Sequence, residues 1–373
     1  MVEWKAIGEL GTFYGGLTGK SKNDFTDGNA KFVSYMNVYN HPKLNDNITD
    51  TVKVSANEKQ NKIQCGDILF TGSSETPDEC GMSSVVCRLL EEDIYLNSFC
   101  FGFRWNNSFH YSPEFMSHLF RSELMRSQIY KTANGVTRFN VSKKQFAKIS
   151  IPILPLSEQQ RIVNALDTFT SSIDNLKEQT AQRRKQYEHY RDQLLDFKDR
   201  IDVQAEKLGA LCNVLRGKRL TKKELTDTGK YPVFHGGVLP IGYYNEYNRE
   251  GDMVMIINVG ASAGTVSYYK NEFWSSDGCF CIEKSSIINN RYLFYYLQSR
   301  TRDIQNKVRH AGIPTLDASA VANIIISIPS LSEQSRIVSI LDSFEASIAN
   351  LEEQLALRQK QYEYYREKLL TFE

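Results

Sequence analysis

Two stretches of the chain, residues 162–197 and 337–372, carry apolar side chains at alternating steps of four and three positions. A period of 3.5 residues is typical of helices that pack against a helical partner. The stretch 157–200 contains no proline or glycine. It therefore predicts one helix of 44 residues, about 66 Å long at 1.5 Å per residue.

We call the residues at these steps the seam, and we expect each seam to pack against the other. The first seam consists of Ile162, Leu166, Phe169, Ile173, Leu176, Thr180, Arg183, Tyr187, Tyr190, Leu194 and Phe197. The second consists of Ile337, Leu341, Phe344, Ile348, Leu351, Leu355, Arg358, Tyr362, Tyr365, Leu369 and Phe372. Arg183 and Arg358 occupy the same seam position. Each either fixes the helix register or extends its charge to solvent.

The two helical stretches are copies of one another. Leu156–Val163, with sequence LSEQQRIV, returns 175 residues later as Leu331–Val338, with sequence LSEQSRIV. The identities persist to the end of the chain and indicate an internal duplication. Ser157 and Ser332 are the predicted N-caps. The first forms a capping box with Gln160, so we expect the second cap to be weaker.

The two stretches that precede the helices resemble each other weakly, for example at Gly135–Asn140 and Gly312–Asp317. Short apolar runs broken by Gly, Asn, Asp and Ser predict a mixed α+β class. The predicted strands are 31–38, 63–71, 231–234 and 253–259, and the predicted helices are 113–130 and 290–305. The predicted domains are two globular domains at residues 1–156 and 201–331, and two helices at 157–200 and 332–373.

Composition excludes several classes of protein. The 45 Lys and Arg against 44 Asp and Glu argue against a broadly polybasic protein. No apolar run reaches the ~18 residues of a membrane helix, and the sequence MVEWKAIGEL is unlike a signal peptide. The seven scattered cysteines contain no C-x-x-C pair. We therefore expect a cytoplasmic protein with reduced thiols and no membrane partner.

The sequence contains no complete match to the catalytic motifs considered below. Gly15–Ser21 approaches a phosphate-binding loop, but Tyr14 stands where that motif needs glycine. The six histidines form no H-x-x-x-H pair, so a zinc site has no support. A non-catalytic protein is favoured. Two alternatives stay open, namely a coiled-coil scaffold whose globular domains bind protein, and an enzyme with a site hidden in one domain.

The whole chain resembles the DNA-specificity subunit of type I restriction-modification enzymes. The most specific element is the sequence IPILPLSEQ at Ile151–Gln159 ahead of a long helix, with the unit then repeated. Ser330 replaces the second proline in the second copy. The stretches YPVFHGG at Tyr231–Gly237 and WSSDG at Trp274–Gly278 are similar to that family as well.

The resemblance implies two target-recognition domains held apart by an antiparallel helix pair in a pseudo-twofold repeat. Each domain would read one half of a bipartite, asymmetric site in double-stranded DNA, and the helices would set the spacer. Two adenine-methyltransferase subunits would dock on the chain, and motor-nuclease subunits can join. The chain itself would be non-catalytic and hold no cofactor or metal, while S-adenosylmethionine, ATP and Mg would bind to the partner subunits.

Candidate DNA contacts lie in polar, glycine-rich loops that hold basic or aromatic residues. In the first domain they are Lys20, Lys22, Tyr35, Ser73, Ser74, Arg104, Asn134 and Arg138. In the second they are Lys218, Arg219, Lys222, His235, Ser262, Trp274, Arg309, His310 and Thr315. For Tyr35 and Trp274 a position in the core is favoured over a DNA contact.

Overall fold

The computed structural model describes residues 2–106, 111–198 and 200–372. The chain divides into two compact units, and the boundary falls within both long helices. The first unit consists of residues 1–177 and 354–373, and the second of residues 178–353. Each unit therefore contains one globular domain together with part of each long helix.

The first globular domain is built of short strands and helices. Its strands are β1 (Glu3–Ala6), β2 (Gly11–Gly15), β3 (Ala30–Val33), β4 (Thr51–Val52), β5 (Ile68–Thr71), β6 (Ser73–Ser74), β7 (Ser83–Val85), β8 (Ile94–Leu96), β9 (Cys100–Trp105), β10 (Ala133–Asn134), β11 (Phe139–Val141) and β12 (Ser150–Ile153). Its helices are α1 (Ile7–Leu10), α2 (Tyr35–Asn40), α3 (Pro113–Leu119), α4 (Glu123–Tyr130) and α5 (Lys143–Phe146). The first long helix is α6 (Leu156–Leu194).

The second globular domain follows the same plan. Its strands are β13 (Gln204–Lys207), β14 (Val214–Arg216), β15 (Tyr231–Phe234), β16 (Gly242–Tyr244), β17 (Met253–Ile257), β18 (Val266–Tyr269), β19 (Trp274–Ser275), β20 (Cys279–Ile282) and β21 (Ile325–Ile328). Its helices are α7 (Leu208–Leu211), α8 (Asn290–Ser299), α9 (Thr301–Gln305) and α10 (Ala318–Ala322). The second long helix is α11 (Leu331–Leu369).

Three of the four sheets of the first domain have counterparts in the second, while the sheet β10-β11-β6 corresponds only to isolated bridges at Thr315. The antiparallel sheet β2-β9-β5-β7 returns as β14-β20-β17-β18, and the sheet β4-β3-β8 returns as β16-β15-β19. In both copies of the second sheet, one antiparallel and one parallel pairing flank the central strand. The pair β1-β12 returns as β13-β21. The weak similarity of the globular stretches thus corresponds to one shared topology, and the predicted α+β class is confirmed.

Several predicted element bounds were wrong. The first long helix has 39 residues and ends at Leu194, so it is about 58 Å long. The predicted helix 113–130 is interrupted between α3 and α4, and 290–305 is interrupted at Arg300. The predicted strand 31–38 ends at Val33, because the residues from Tyr35 form helix α2.

The long helices also begin differently from the prediction. The backbone N–H groups of Glu158 and Gln159 donate to the carbonyl of Pro155, so Ser157 lies inside the first turn. In the second copy Ser330 takes the place of Pro155, and its Oγ accepts from the backbone N–H of Glu333 at 3.3 Å. Ser330 supplies a side-chain acceptor that proline lacks. The expected order of cap strength is therefore reversed.

A buried glutamine attaches each long helix to its globular domain. Gln159 and Gln334 are both fully buried. The Gln159 amide donates to the Leu154 carbonyl at 2.9 Å and accepts from the backbone N–H of Ser112, the N-cap of α3, at 2.9 Å. Gln334 makes the same pair of contacts, donating to Pro329 at 2.9 Å and accepting from Asn289 at 2.8 Å.

An aspartate about two turns further along each helix makes a second attachment. The Asp167 carboxylate contacts Nε2 of His118 at 2.8 Å and Nζ of Lys43 at 2.8 Å. Burial opposes ionisation of Asp167, but these two donors outweigh it and hold the pKa of its carboxyl below the ordinary value. In the second unit Asp342 accepts from the Tyr295 hydroxyl at 2.6 Å and from Arg291 at 2.8 Å.

The predicted seam divides into two parts. Its first turns, at Ile162, Leu166, Ile337 and Leu341, are fully buried in the cores of the globular domains. The same cores contain the far end of the other long helix, with Leu369 and Phe372 in the first unit and Leu194 and Phe197 in the second, so these seam residues are covered by a globular domain as well as by the other helix. The globular domains offer an apolar surface that the helical period alone does not reveal.

Aromatic seam residues near the middle of the helices pair the two helices inside each unit. In the first unit Phe169 stacks on Tyr365, with ring centroids 5.2 Å apart, and the Arg358 guanidinium lies 5.7 Å from the Phe169 ring centroid. In the second unit the equivalent residues repeat this arrangement: Phe344 stacks on Tyr190 at 5.5 Å, with Arg183 at 5.8 Å. An Arg184–Glu352 ion pair lies beside that contact and shows that the helices run antiparallel there.

All seven cysteines are free. Among the described residues, no group of three or more His, Cys, Asp or Glu side chains is arranged to hold a metal ion. Nor does any helix in that part of the chain combine the length and apolar character that crossing a bilayer requires.

We expect Gln334→Ala to lower the free energy of unfolding by about 2–4 kcal/mol, because it leaves the backbone groups of Pro329 and Asn289 buried without partners. Urea unfolding followed by circular dichroism measures the change. Exposed Ser335→Ala on the next helical position is the matched control. A loss no larger than that of the control would mean that the glutamine does not attach the helix.

Candidate nucleic-acid interface

Three segments of the first domain meet beside one groove. Tyr35 follows strand β3, Ser73 and Ser74 form β6 directly after β5, and Arg138 lies in the hairpin between β10 and β11. Strand β6 pairs with β11, which brings the hairpin against the end of β5. The fold therefore gathers four of the predicted contact residues of this domain.

Hydrogen bonds join these segments. The Tyr35 hydroxyl donates to the Ser73 carbonyl at 2.8 Å. Arg138 donates from Nη2 to Oγ of Ser73 at 3.0 Å. Burial raises the pKa of Tyr35, so its hydroxyl keeps its proton and remains a donor. The groove beside them has a volume of about 960 Å³. It is open to solvent along one side, which suits an extended ligand.

Aromatic side chains form part of the groove wall. The rings of Tyr35 and Tyr39 stack with centroids 6.2 Å apart. The Arg138 guanidinium lies 5.2 Å from the ring centroid of Phe99, which is 56% exposed. An exposed aromatic ring beside an arginine offers both an apolar face and a cation to a nucleic acid.

A carboxylate lies at the edge of the same groove. Glu79 accepts from the Tyr39 hydroxyl at 2.8 Å and from Oγ of Ser74 at 3.1 Å. Hydrogen bonds from Tyr39, and then from Thr76 and Ser74, hold the pKa of Glu79 below its ordinary value. Its ionised carboxylate is a suitable acceptor for a base amino group.

The other predicted residues of the first domain lie elsewhere or face inward. Lys20 donates to Glu58 at 2.6 Å, and its side chain is only 7% exposed. Arg104 pairs with buried Asp67 at 2.6 Å. Both cations are therefore engaged within the domain. Lys22 is exposed on a short 3-10 helix, and Asn134 is exposed at the start of the hairpin.

The candidate site of the second domain is built from the corresponding strand ends and hairpin. His235 follows β15, Asn258 follows β17, and residues 309–315 form the hairpin. Arg309 and Thr315 exchange two backbone hydrogen bonds, of 2.8 and 3.0 Å, that close the hairpin. The backbone N–H of Leu316 donates to the Asn258 carbonyl at 2.8 Å, which holds the hairpin against the end of the strand.

The remaining predicted residues surround this site to different extents. Ser262 lies in the loop after β17, which binds the hairpin through Gly260 N–H and the Pro314 carbonyl at 2.9 Å. Arg309 pairs with Asp317 at 2.8 Å, and the next residue, His310, is exposed. Lys218, Arg219 and Lys222 are exposed on the loop between β14 and β15.

Trp274 is a core residue. Its side chain is 6% exposed, and its indole N–H donates to the Lys218 carbonyl at 2.7 Å. Leu220 and Val233 belong to the same apolar cluster. Trp274 therefore supports the loop that carries Lys218, and the structure favours the core interpretation over direct contact.

Both hairpins present an apolar residue at the tip. Val136 is 91% exposed and Ile313 is 70% exposed. Each follows a glycine with positive φ, +150° at Gly135 and +89° at Gly312, a conformation that favours glycine. The hairpin turn therefore directs the apolar side chain outward, where it can contact a thymine methyl group or a base step.

Sequence reasoning missed several residues of the two sites. Tyr39 and Phe99 line the first groove, and Asp277 faces His235 in the second domain at 3.3 Å. The spacing of Tyr39 one helical turn after Tyr35 was an available signal, as was the WSSDG motif that contains Asp277. No sequence signal marked Phe99.

The two domains share one topology and present different side chains at corresponding strand ends. The family described as "Type I restriction modification DNA specificity domain" matches residues 1–183 and 201–358. A Haemophilus influenzae protein named as a type I restriction enzyme specificity subunit is 32% identical over 267 residues, which cover 64% of this chain and 68% of the relative. The Escherichia coli EcoR124I/EcoR124II specificity subunit is 26% identical, covering 59% and 61%.

The crystal structure of the type I restriction-modification S subunit from M. genitalium has the same fold, with a TM-score of 0.64 and 18% identity, over 100% of this chain and 97% of that one. The chain belongs to the family of type I restriction-modification DNA specificity proteins. This membership gives it a role in DNA sequence specificity.

The structure separates basic residues that support the fold from those available to a ligand. We expect Arg104→Met to destabilise the protein by about 2–3 kcal/mol, because it leaves the buried Asp67 carboxylate without its cation. Arg138→Met, on an exposed residue of the groove, should cost less than about 0.5 kcal/mol. Thermal unfolding compares the two variants. Equal losses would contradict the division.

Proposed function

We propose that the chain is the non-catalytic specificity subunit of a type I restriction-modification enzyme and that each globular domain reads one half of a bipartite, asymmetric site in double-stranded DNA. One observation carries the proposal. The same backbone hydrogen bonds place Ser34, Gly72 and Asn140 in the first domain where the second domain has His235, Asn258 and Thr315. Identical frames with different polar side chains suit the reading of two different half-sites.

The paired long helices are proposed to set the spacer between the half-sites. Helices have a fixed rise of about 1.5 Å per residue, so a helix is a stiff ruler. Their attachments through Gln159 and Gln334 are the same in both units, whereas the recognition sites differ. A surface on which the same kind of partner docks twice must be the same in both units, and the helices meet this requirement whereas the recognition sites do not. We assign that surface to two adenine-methyltransferase subunits.

The charge of the chain supports dependence on partners. The second globular stretch, residues 201–326, holds 15 basic and 12 acidic residues, and the rest of the chain is close to neutral or acidic. Phosphate attraction alone gives strong binding only to a more basic protein. We propose that the methyltransferase subunits supply much of the affinity for DNA and bind S-adenosylmethionine. ATP and Mg would bind to motor-nuclease subunits where these join.

Mapping methylated adenines after expression of the chain with its methyltransferase partners tests the function. We expect a motif of two different half-sites separated by a fixed number of unspecified base pairs. Arg138→Ala should relax one half-site only. A continuous motif would contradict the two-domain assignment. Methylation without any sequence preference would favour a scaffold whose globular domains bind protein.

A second prediction concerns the length of the spacer between the half-sites. Insertion of four helical residues after Lys177 and four more after Glu353 lengthens both helices by ~6 Å, close to two base pairs. We expect both half-sites to survive and the preferred spacer to lengthen by one or two base pairs. Methylation mapping of the variant gives the spacer directly.

A matched control inserts the same four residues beside Leu89, which is 83% exposed in a loop of the first domain. This control should leave the spacer unchanged. If the double helix insertion also leaves the spacer unchanged while methylation persists, the helices do not set the distance.

A further inference from the structure

His235 lies in the second recognition site with one edge of its ring buried. Its Nδ1 is 3.3 Å from Oδ1 of Asp277. That nitrogen is sealed from solvent and has no aligned hydrogen-bond partner among the described residues. A Cβ built on Gly278 would lie only 2.7 Å from Nδ1. Glycine at this position therefore lets the ring pack directly against the backbone.

The Asp277 carboxylate is held in front of the ring by its neighbours. Oγ of Ser276 donates to Oδ1 of Asp277 at 3.1 Å. Asn258, which is 4% exposed, donates from Nδ2 to the Asp277 carbonyl at 3.3 Å, and Arg216 donates to the same carbonyl at 3.4 Å. The carboxylate is thereby fixed as the acceptor that faces Nδ1.

This arrangement determines the tautomer of the histidine. A carboxylate facing a buried ring nitrogen stabilises a proton on that nitrogen, and the other nitrogen of the neutral ring is then an acceptor. The side chain of His235 is 35% exposed. Since Nδ1 is sealed from solvent, the exposed part of the ring is the opposite edge, which carries Nε2.

We propose that Nε2 of His235 accepts a hydrogen bond from the exocyclic amino group of adenine or cytosine in the major groove of one half-site, and that Asp277 is the positioning residue that makes Nε2 an acceptor. The proposal rests on the proposed function and deepens it by naming the class of base that this site reads. In the major groove, adenine and cytosine present an amino donor, whereas guanine and thymine present carbonyl acceptors.

Asp277→Asn tests the tautomer directly. The amide nitrogen of the variant can donate to Nδ1, which moves the ring proton to Nε2 and turns the exposed atom into a donor. The preference at one base pair should therefore shift from adenine or cytosine toward guanine or thymine on the contacted strand. Since one hydrogen bond to a base is gained or lost, the ratio of methylation between the two kinds of base at that position should change about tenfold. A merely structural role of Asp277 would not invert the preference.

The experiment maps methylated adenines with the whole complex for the wild type, His235→Ala, His235→Gln and Asp277→Asn. Both His235 variants should weaken the base preference at that same position of the motif. Asp277→Asn should invert the preference there. The other half-site and the spacer should stay unchanged, which also reports that each variant is folded. Asp227→Asn, an exposed carboxylate of the same domain, is the control.

The outcomes separate this inference from the proposed function. If the wild-type complex shows no bipartite motif, the proposed function fails. If it shows one and the His235 variants leave every position unchanged, only the inference fails. If the His235 variants relax a position that Asp277→Asn leaves with its original preference, the acceptor role of Nε2 is wrong. If Asp277→Asn does not fold, the His235 variants still test the contact, because a motif unchanged in both of them overturns it.

Discussion

Each unit depends on the attachment of a long helix to a globular domain by one buried glutamine. A buried amide is costly unless both of its ends are satisfied. Gln159 and Gln334 satisfy both ends by joining the carbonyl that precedes the long helix to the N-cap of a helix in the domain. The direction in which the long helix leaves its domain is thereby defined within each unit.

The second attachment shows what the duplication has kept and what it has changed. Asp167 and Asp342 hold equivalent positions on the long helices, but one contacts a histidine and the other a tyrosine. A carboxylate that accepts from either donor keeps the helix in place while the partner varies. The recognition sites, which have no such common partner, differ almost completely between the domains. The duplicated frame is therefore constant where it supports the helices and variable where it meets a ligand.

The helices and the duplication were predictable from the sequence because both follow from a period and an offset. The site was predictable only in part. Tyr35, Ser73 and Arg138 do meet, but Lys20 and Arg104 are paired internally with Glu58 and Asp67. Those acids lie 37 or 38 residues away in the chain, and only the fold brings them together. The seam prediction was incomplete for a related reason, because the apolar period does not show that a domain core covers the helix ends together with the other helix.

The central claim is that the two equivalent sites face different halves of one DNA site. Photocrosslinking from the two hairpin tips tests it most directly, with a photoreactive residue placed at Val136 or at Ile313, both of which are largely exposed. The complex would be irradiated on a duplex that carries the methylated motif, and the crosslinked base pairs would be mapped. The account predicts crosslinks in opposite half-sites. Crosslinks from both tips in the same half-site, or none from either tip, would contradict it.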